Sequence, residues 1–337
     1  MRKLLVTYRG VLTVFIVWRA VLIAAELVAP TVFPPDPQFL EPVRWANFDG
    51  GHYLSIAANG YGIYQQAFFP LYPMLIRAFM FLPIAPVYSA LAISHVALLA
   101  GLFVLHALLK KERIQNSLWI IAFLLFFPTG FFFAAAYPTS LLFFLVVSFM
   151  YAVRSGRKFL AVIFGMLASV THLFGAFIFP FGILLYMGYL YYTTGDVLAF
   201  FHVQSAFGAN RTAGGIVLLP QVLWRYGKIL LTVPPGSLTY AVAAFEAGVF
   251  ALFAVLFVLA IHQKIRASYL WYSVLVLIVP TFTGTFSSMP RYVLSAFPLF
   301  FVLGTMHNRV VKIALFIVFT VGLMICTMAY LSGYFIA

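Results

Sequence analysis

The sequence predicts an all-α polytopic membrane protein, and three observations carry that reading. Of 337 residues, 64% are hydrophobic and only 8% charged, where a soluble domain has roughly 45–50% apolar and about 25% charged residues. Mean hydropathy is +1.06. Apolar runs long enough to span a bilayer recur along the whole chain. A spanning helix needs about 20 such residues, and backbone inside hydrocarbon must pair its polar groups internally, so helices are the expected element. A soluble fold is excluded. The excess of 20 Lys+Arg over 7 Asp+Glu is therefore read by its place along the chain, and no nucleic-acid partner is expected. The single cysteine, Cys326, excludes an intramolecular disulfide and a Cys-based zinc or iron–sulfur centre.

The apolar runs cover residues 8–29, 86–109, 117–135, 137–153, 159–192, 240–261, 268–285, 292–306 and 310–332. Basic clusters separate them: Arg2, Lys3 and Arg9; Lys110, Lys111 and Arg113; Arg154, Arg157 and Lys158; Lys264 and Arg266; Arg309 and Lys312. With these clusters on the cytoplasmic face, the loops at 30–85, 193–239 and 286–291 all fall on the opposite side. Nine net crossings follow, amino terminus inside and carboxyl terminus outside. The stretch 68–85, interrupted by Pro70, Pro73, Arg77 and Pro83, reads as an interfacial or re-entrant helix. The run 159–192 would be about 51 Å long if straight, against a hydrocarbon core of about 30 Å. Gly175, Pro180 and Gly182 are expected to break it. The first run begins like a signal peptide, but Arg19 and Glu26 interrupt its apolar part, so an uncleaved signal anchor is expected. No internal repeat is found, and residues 1–337 read as one integral membrane domain.

The polar side chains gather on one side. By this topology only Glu112 of the seven acids lies near the cytoplasm; Glu26, Asp36, Glu41, Asp49, Asp196 and Glu246 sit in outer loops or near outer helix ends. The same loops carry Trp45, Tyr53, Tyr61, Tyr64, Tyr72, Trp224 and Tyr226, suited to anchoring at the interface or to stacking on sugars and prenyl chains. Within residues 44–61, Asn47 or Asp49 can cap a short helix ending at Asn59-Gly60. That helix places Asp49, His52 and Tyr53 on one face at i, i+3 and i+4. Asp49 is then either a helix cap or the acid of a site that also holds an imidazole and a phenol. Gly50-Gly51 permits close approach of backbone to a ligand.

The string Phe48-Asp49-Gly50-Gly51-His52-Tyr53, with Ile56-Ala57, Gly60-Tyr61 and Ala67-Phe68-Phe69-Pro70-Leu71-Tyr72-Pro73, resembles the first outer loop of the PIG-V-like mannosyltransferases. That is the family of the second GPI mannosyltransferase and its prokaryotic relatives. Further matches follow in order at Gly195-Asp196, Leu198-Ala199-Phe200, Gln204, Ala244-Phe245-Glu246, Ser288-Met289-Pro290-Arg291-Tyr292 and Phe297-Pro298-Leu299-Phe300. The resemblance implies a GT-C-like bundle of about nine transmembrane helices with interfacial helices in its outer loops. It also implies a polyprenyl-phosphate donor of a hexose, mannose in first place, and a lipid- or glycan-linked acceptor. Transfer would be inverting, on the non-cytoplasmic face of a prokaryotic plasma membrane. The chain departs from the family at Tyr137-Pro138-Thr139-Ser140, where an acid often follows the tyrosine, and at Thr171-His172, where Thr-Arg is frequent.

Such transfer needs a base for the acceptor hydroxyl and cations or amides for the departing phosphate. Asp49 is the expected base, with His52 and Tyr53 binding substrate beside it. Arg291, followed by Tyr292 in a short loop between spans, is the expected phosphate ligand, because a guanidinium engages phosphate in a fixed fork. His172 is either a second donor to phosphate or a packed histidine. Arg211, Arg225 and Lys228 make the second large outer loop basic, suited to an anionic lipid headgroup. Glu246 is expected to pair with one of them, and Arg19 and Arg77 to snorkel. The Gly208–Gly215 stretch reads as a flexible loop. No cofactor motif and no metal-ligand spacing is present, and a monophosphate leaving group has little need of a divalent ion, so metal independence is expected. The competing class is a flippase or permease, against which stand the missing repeat and the one-sided acids. A catalytically silent lipid-binding relative is the third reading, kept by Thr139 and His172.

Overall fold

The computed structural model describes residues 2–36, 43–208, 211–212 and 215–336, with backbone alone for 2–7. Glu41, Asn210 and Gly214 lie outside the described residues, as do the side chains of Arg2 and Lys3. The described chain is helical with no strand. Its α-helices are α1 (Arg2–Val32), α2 (Asp49–Asn59), α3 (Leu71–Ala78), α4 (Pro86–Lys111), α5 (Ser117–Phe126), α6 (Thr139–Arg154), α7 (Lys158–Ser169) and α8 (Leu173–Ala176). There follow α9 (Phe181–Thr194), α10 (Ala199–His202), α11 (Leu219–Thr232), α12 (Leu238–His262), α13 (Ala267–Ile278), α14 (Met289–Tyr292), α15 (Phe300–Thr305) and α16 (Arg309–Leu331).

Among the described residues, four helices are long and apolar enough to cross a membrane: Tyr8–Val32 within α1, together with α4, α12 and α16. Local chemistry sets their ends. Pro86 opens α4 without wasting a donor, and Lys110 and Lys111 close it against the negative end of the helix dipole. Ser237 caps α12 by accepting the Tyr240 amide at 3.2 Å, and Asn308 caps α16 by accepting from Val310 and Val311 at 3.0 and 3.1 Å. Along α1, Val11, Trp18, Leu22, Ala25 and Ala29 are fully buried, at spacings of seven, four, three and four. This seam faces α16, α5 and α4, while Ile16 and Leu27 are exposed on the other side.

The remaining runs are built from shorter helices and breaks, so the expected nine spans are not nine continuous helices. In the run 117–135, α5 stops at Phe126 because Pro128 forces Phe127 into an extended conformation (ψ 145°). A 3-10 turn, Gly130–Phe133, follows. Irregular backbone among apolar helices needs polar partners, and side chains supply them. Ser140 Oγ donates to the Phe133 carbonyl at 2.7 Å and Ser94 Oγ to that of Ala135 at 2.9 Å. The Ala136 amide donates to the Trp45 carbonyl at 2.9 Å. The run 159–192 breaks as expected: Gly182 packs against Met166 and Ser169 and Gly175 against Ala168, so the chain turns back onto the end of α7. The stretch 68–85 forms the short helix α3, and 292–306 contributes only α15 after a series of turns.

The polar groups separate to opposite ends of α4 and α12. At one end Glu112 accepts from Arg154, from Tyr269 at 2.9 Å and from Arg266 at 3.4 Å. Three of the basic clusters therefore converge on this acid. Burial works against its ionised form, but these donors and the two guanidinium charges outweigh it and hold the carboxyl below its usual range. The hydroxyl of Thr305 donates to Gln263 at 3.1 Å, and Lys312 binds the Gly304 carbonyl at 3.0 Å, beside the same end. At the other end lie α2, α3, α10, the described residues Arg211 and Thr212, and α14, as the charge pattern requires.

Two outcomes follow. On a Cys326→Ser background, cysteines placed at the exposed positions Ile63 and Gly236 should react with an impermeant maleimide in intact cells, and one at Arg157 only after permeabilisation; the reverse pattern would invert the bundle. A Cβ on Gly130 would stand 2.1 Å from the Leu125 carbonyl oxygen. Gly130→Ala should therefore cost about 1–3 kcal/mol by overpacking, read as a lower melting temperature in detergent.

Candidate functional site

The loop ahead of α2 is pinned before it reaches the site. Asn47 donates from its side chain to the Tyr330 carbonyl at 2.9 Å, and its own carbonyl accepts from the hydroxyls of Tyr137 and Tyr330 at 2.9 and 3.1 Å. Phe48 then takes a φ of +58°, uncommon for a bulky residue, and wedges between Tyr330 and Phe335. Asp49 is the first residue of α2, with no side-chain cap at that end. The capping reading of Asn47 and Asp49 is thereby corrected: the tertiary partners of both side chains take them away from the helix amides.

Those partners define the site. Arg291 Nη1 donates to Asp49 Oδ2 at 2.6 Å, and the two side chains are 14% and 26% exposed. The guanidinium carbon lies 5.4, 5.3 and 5.5 Å from the ring centres of Phe132, Tyr137 and Tyr292, an aromatic cage that favours a cation. Burial disfavours the charged arginine, but the charge of Asp49 and the neighbouring phenols overcome it, and its pKa lies above the ordinary value. Arg291 is charged throughout the physiological range. Its Nη2 also reaches Ser288 Oγ at 3.5 Å.

A cavity of about 410 Å³ opens at this pair, within the range of small-molecule sites. Asp49, Tyr53, Tyr137, Thr139, His172, Arg211, Ser287, Arg291, Tyr292 and Ser295 form its polar part. Phe68, Phe69, Phe200, Phe201, Phe207, Ile216 and Phe282 form its apolar part. Tyr53 is buried edge-on to Phe68 and Tyr72. Burial first, and the Asp49 charge second, raise its phenol well above the usual range, so it serves as a neutral group. Tyr292 packs edge-on to Phe174.

His52 is the exception among the expected residues. It does not line the cavity but stacks on Phe68 at 4.8 Å and meets Phe207 edge-on, with Gln65 3.4 Å from Nδ1. The spacing placed it on the face of Asp49 correctly; the Phe68 ring intervenes. His172 does line the cavity, and its Nδ1 accepts the Phe174 amide at 3.3 Å, which requires an unprotonated ring nitrogen. It is a neutral, packed histidine. Asp196 is committed elsewhere: it accepts from the Leu198 amide at 2.9 Å and from His202 at 2.7 Å.

Arg211 reaches the cavity because Thr212 and Val217 are tied to the turn at 282–283: their amides each donate at 3.0 Å, to the Thr283 and Phe282 carbonyls. Its guanidinium donates to Gln204 at 3.1 Å, Ser288 at 3.2 Å and Ser287 at 3.4 Å. Behind this wall stands Glu246, fully within the bundle. It does not form an ion pair with Arg211, Arg225 or Lys228 as expected. Its donor is the hydroxyl of Tyr226, which also contacts Thr285 at 2.9 Å and accepts the Phe286 amide at 3.0 Å. Arg225 donates to the Gly284 carbonyl at 3.0 Å. Arg19, expected to snorkel, instead lies 5.1 Å over the Trp45 ring.

Several cavity residues were not singled out from sequence. Gln204 was visible only as a motif match and Tyr137 only where the chain departs from the family, Ser287 carried no signal, and Phe132, which faces Arg291 without lining the cavity, lies unmarked inside an apolar run. Protein-family models, curated proteins and solved structures yield no match to this chain. The likeness to the mannosyltransferases rests on the outer-loop motifs themselves.

Tyr226→Phe should leave Glu246 and the Phe286 amide short of a buried partner at a cost of about 1–3 kcal/mol. A melting temperature equal to wild type would show that the loop ahead of Arg291 is held by other contacts.

Proposed function

We propose that the protein is a glycosyltransferase that moves a hexose, mannose in first place, from a polyprenyl phosphate to a lipid- or glycan-linked acceptor. The observation that carries this reading is the pairing of one carboxylate with an arginine at the polar end of a cavity whose other walls are aromatic and apolar. A carboxylate suits removal of a proton from a sugar or lipid hydroxyl, arginine suits phosphate, and the apolar wall suits a prenyl chain. The bundle is read as GT-C-like, with about nine crossings once the broken runs are counted. Its site faces the non-cytoplasmic side of a prokaryotic plasma membrane, opposite the basic clusters.

Asp49 acts as general base in this reading. Arg291 engages Oδ2, which orients the carboxylate, and Oδ1 takes the acceptor proton as the hydroxyl attacks the anomeric carbon. Attack from the face opposite the phosphate inverts that carbon. Tyr53 and Tyr292 offer hydroxyls to the sugar, and the second nitrogen of the same arginine, held by Ser288 Oγ at 3.5 Å, serves the phosphate. His172, neutral and beside Tyr292, shapes the pocket and adds no charge.

The test is transfer from radiolabelled polyprenyl-phosphate mannose to lipid extracts in membranes carrying wild type or Asp49→Asn. The asparagine retains an oxygen for Arg291 but cannot take the proton. Turnover should fall by roughly 10²-fold or more, while insertion and expression stay near wild type. Near-normal transfer by the variant would remove Asp49 as the base.

A further inference from the structure

Two arginines that line the cavity converge on one buried serine oxygen beside it. Arg211 Nη2 lies 3.2 Å and Arg291 Nη2 3.5 Å from Ser288 Oγ. Ser288 is held for this in a left-handed conformation, φ +66°, unusual for a residue other than glycine. Among the described residues Asp49 is the one carboxylate that lines the cavity, and it is bound to Arg291; Glu246 stands behind the wall, where Tyr226 donates to it. Arg211 makes no ion pair among the described residues; its guanidinium donates to an amide oxygen and two hydroxyls. These are weak acceptors for a guanidinium, and an anion would replace them readily. With His172 neutral, the cavity holds one positive charge in excess.

We infer that Arg211 and Arg291 form a two-arginine clamp for a prenyl phosphate, and that it is matched to the phosphomonoester dianion released by transfer more closely than to the phosphodiester donor. The inference deepens the glycosyltransferase reading and rests on it for the reaction that links the two phosphates. In the donor the phosphate is a diester with one negative charge. On transfer the acceptor oxygen bonds to the anomeric carbon and the bond from that carbon to the phosphate oxygen breaks. Its electron pair stays on the phosphate, which gains a second negative charge, and the acceptor proton passes to Asp49. The charges balance at both ends: two arginines against carboxylate and diester before, two arginines against the dianion alone after. Protonating Asp49 loosens its hold on Arg291 at the moment the phosphate requires that cation. A low-dielectric cavity favours a path on which its net charge does not change, and binding that strengthens as the bond breaks is the kind that accelerates the step.

The same geometry makes the product a tight ligand. The chemistry recognised is a phosphate bearing two negative charges, and the aromatic wall of Phe200, Phe201 and Phe207 assigns it to a prenyl ester and not to free phosphate.

The test is direct binding to the full-length protein in detergent with three probes, farnesyl phosphate, its methyl diester and inorganic phosphate, at about pH 8, where a phosphate monoester is doubly charged. Wild type should bind the monoester about tenfold or more tighter than the diester. Arg211→Gln should abolish that preference, and Arg211→Lys, which keeps the charge without the fork, should restore part of it. Asp49→Asn, which imitates the protonated carboxyl, should bind the monoester about tenfold tighter than wild type. Equal wild-type affinities for the two esters would overturn the clamp, as would a preference that survives in a folded Arg211→Gln protein. Inorganic phosphate binding as tightly as farnesyl phosphate would overturn the prenyl assignment. If the monoester preference and its loss in Arg211→Gln are found while wild type transfers no sugar, the clamp stands and the glycosyltransferase reading fails.

Discussion

The contact between Asp49 and Arg291 joins residues 242 positions apart and organises everything around it. It brings the start of α2 to α14. A partly buried ion pair is stable only if the remaining hydrogen-bonding capacity is met and the surroundings favour the charges. Here Ser288 takes a second guanidinium nitrogen and the rings of Phe132, Tyr137 and Tyr292 surround the cation. Each of these residues in turn must be held in place, which explains much of the irregular backbone at this end of the bundle.

The segment 127–138 shows the consequence. A continuous helix there would satisfy its own backbone but would carry Phe132 and Tyr137 away from Arg291. The chain breaks instead at Pro128 and Gly130, and Ser94, Ser140 and the Trp45 carbonyl take up the exposed backbone groups. The hydroxyl of Thr129 donates to the Pro290 carbonyl, tying this segment to α14 itself. Tyr137 then serves twice: its ring faces Arg291 and its hydroxyl binds the Asn47 carbonyl just ahead of Asp49.

A second network supports the opposite wall. Tyr226, Glu246 and Thr285 fix the turn that presents Ser287 and Ser288, and α9 covers the site from the other side through Tyr186, which binds the Gln66 carbonyl at 2.9 Å. Polar groups buried this deeply are costly if left unmatched, so the network rigidifies the wall that it satisfies.

By itself the sequence determined the class of fold, the basic face and the set of loops that meet opposite it, because bilayer energetics act on composition and on the position of Lys and Arg along the chain. It also placed Asp49, Tyr53, Arg211, Arg291 and Tyr292 in those loops, and it located the break near Gly175 and Pro180. What only the tertiary structure decided is which groups face one another. Spacing on a single helix put His52 beside Asp49, but Phe68, which comes from a different segment, stands between His52 and the cavity. Charge alone suggested an arginine for Glu246, and a tyrosine occupies that place. The capping propensities of Asn47 and Asp49 were real, yet partners 283 and 242 residues away claimed both side chains. Local propensities are worth about a kilocalorie per mole, whereas an uncompensated charge inside the bundle costs several, so contacts remote in sequence settled the chemistry of the site.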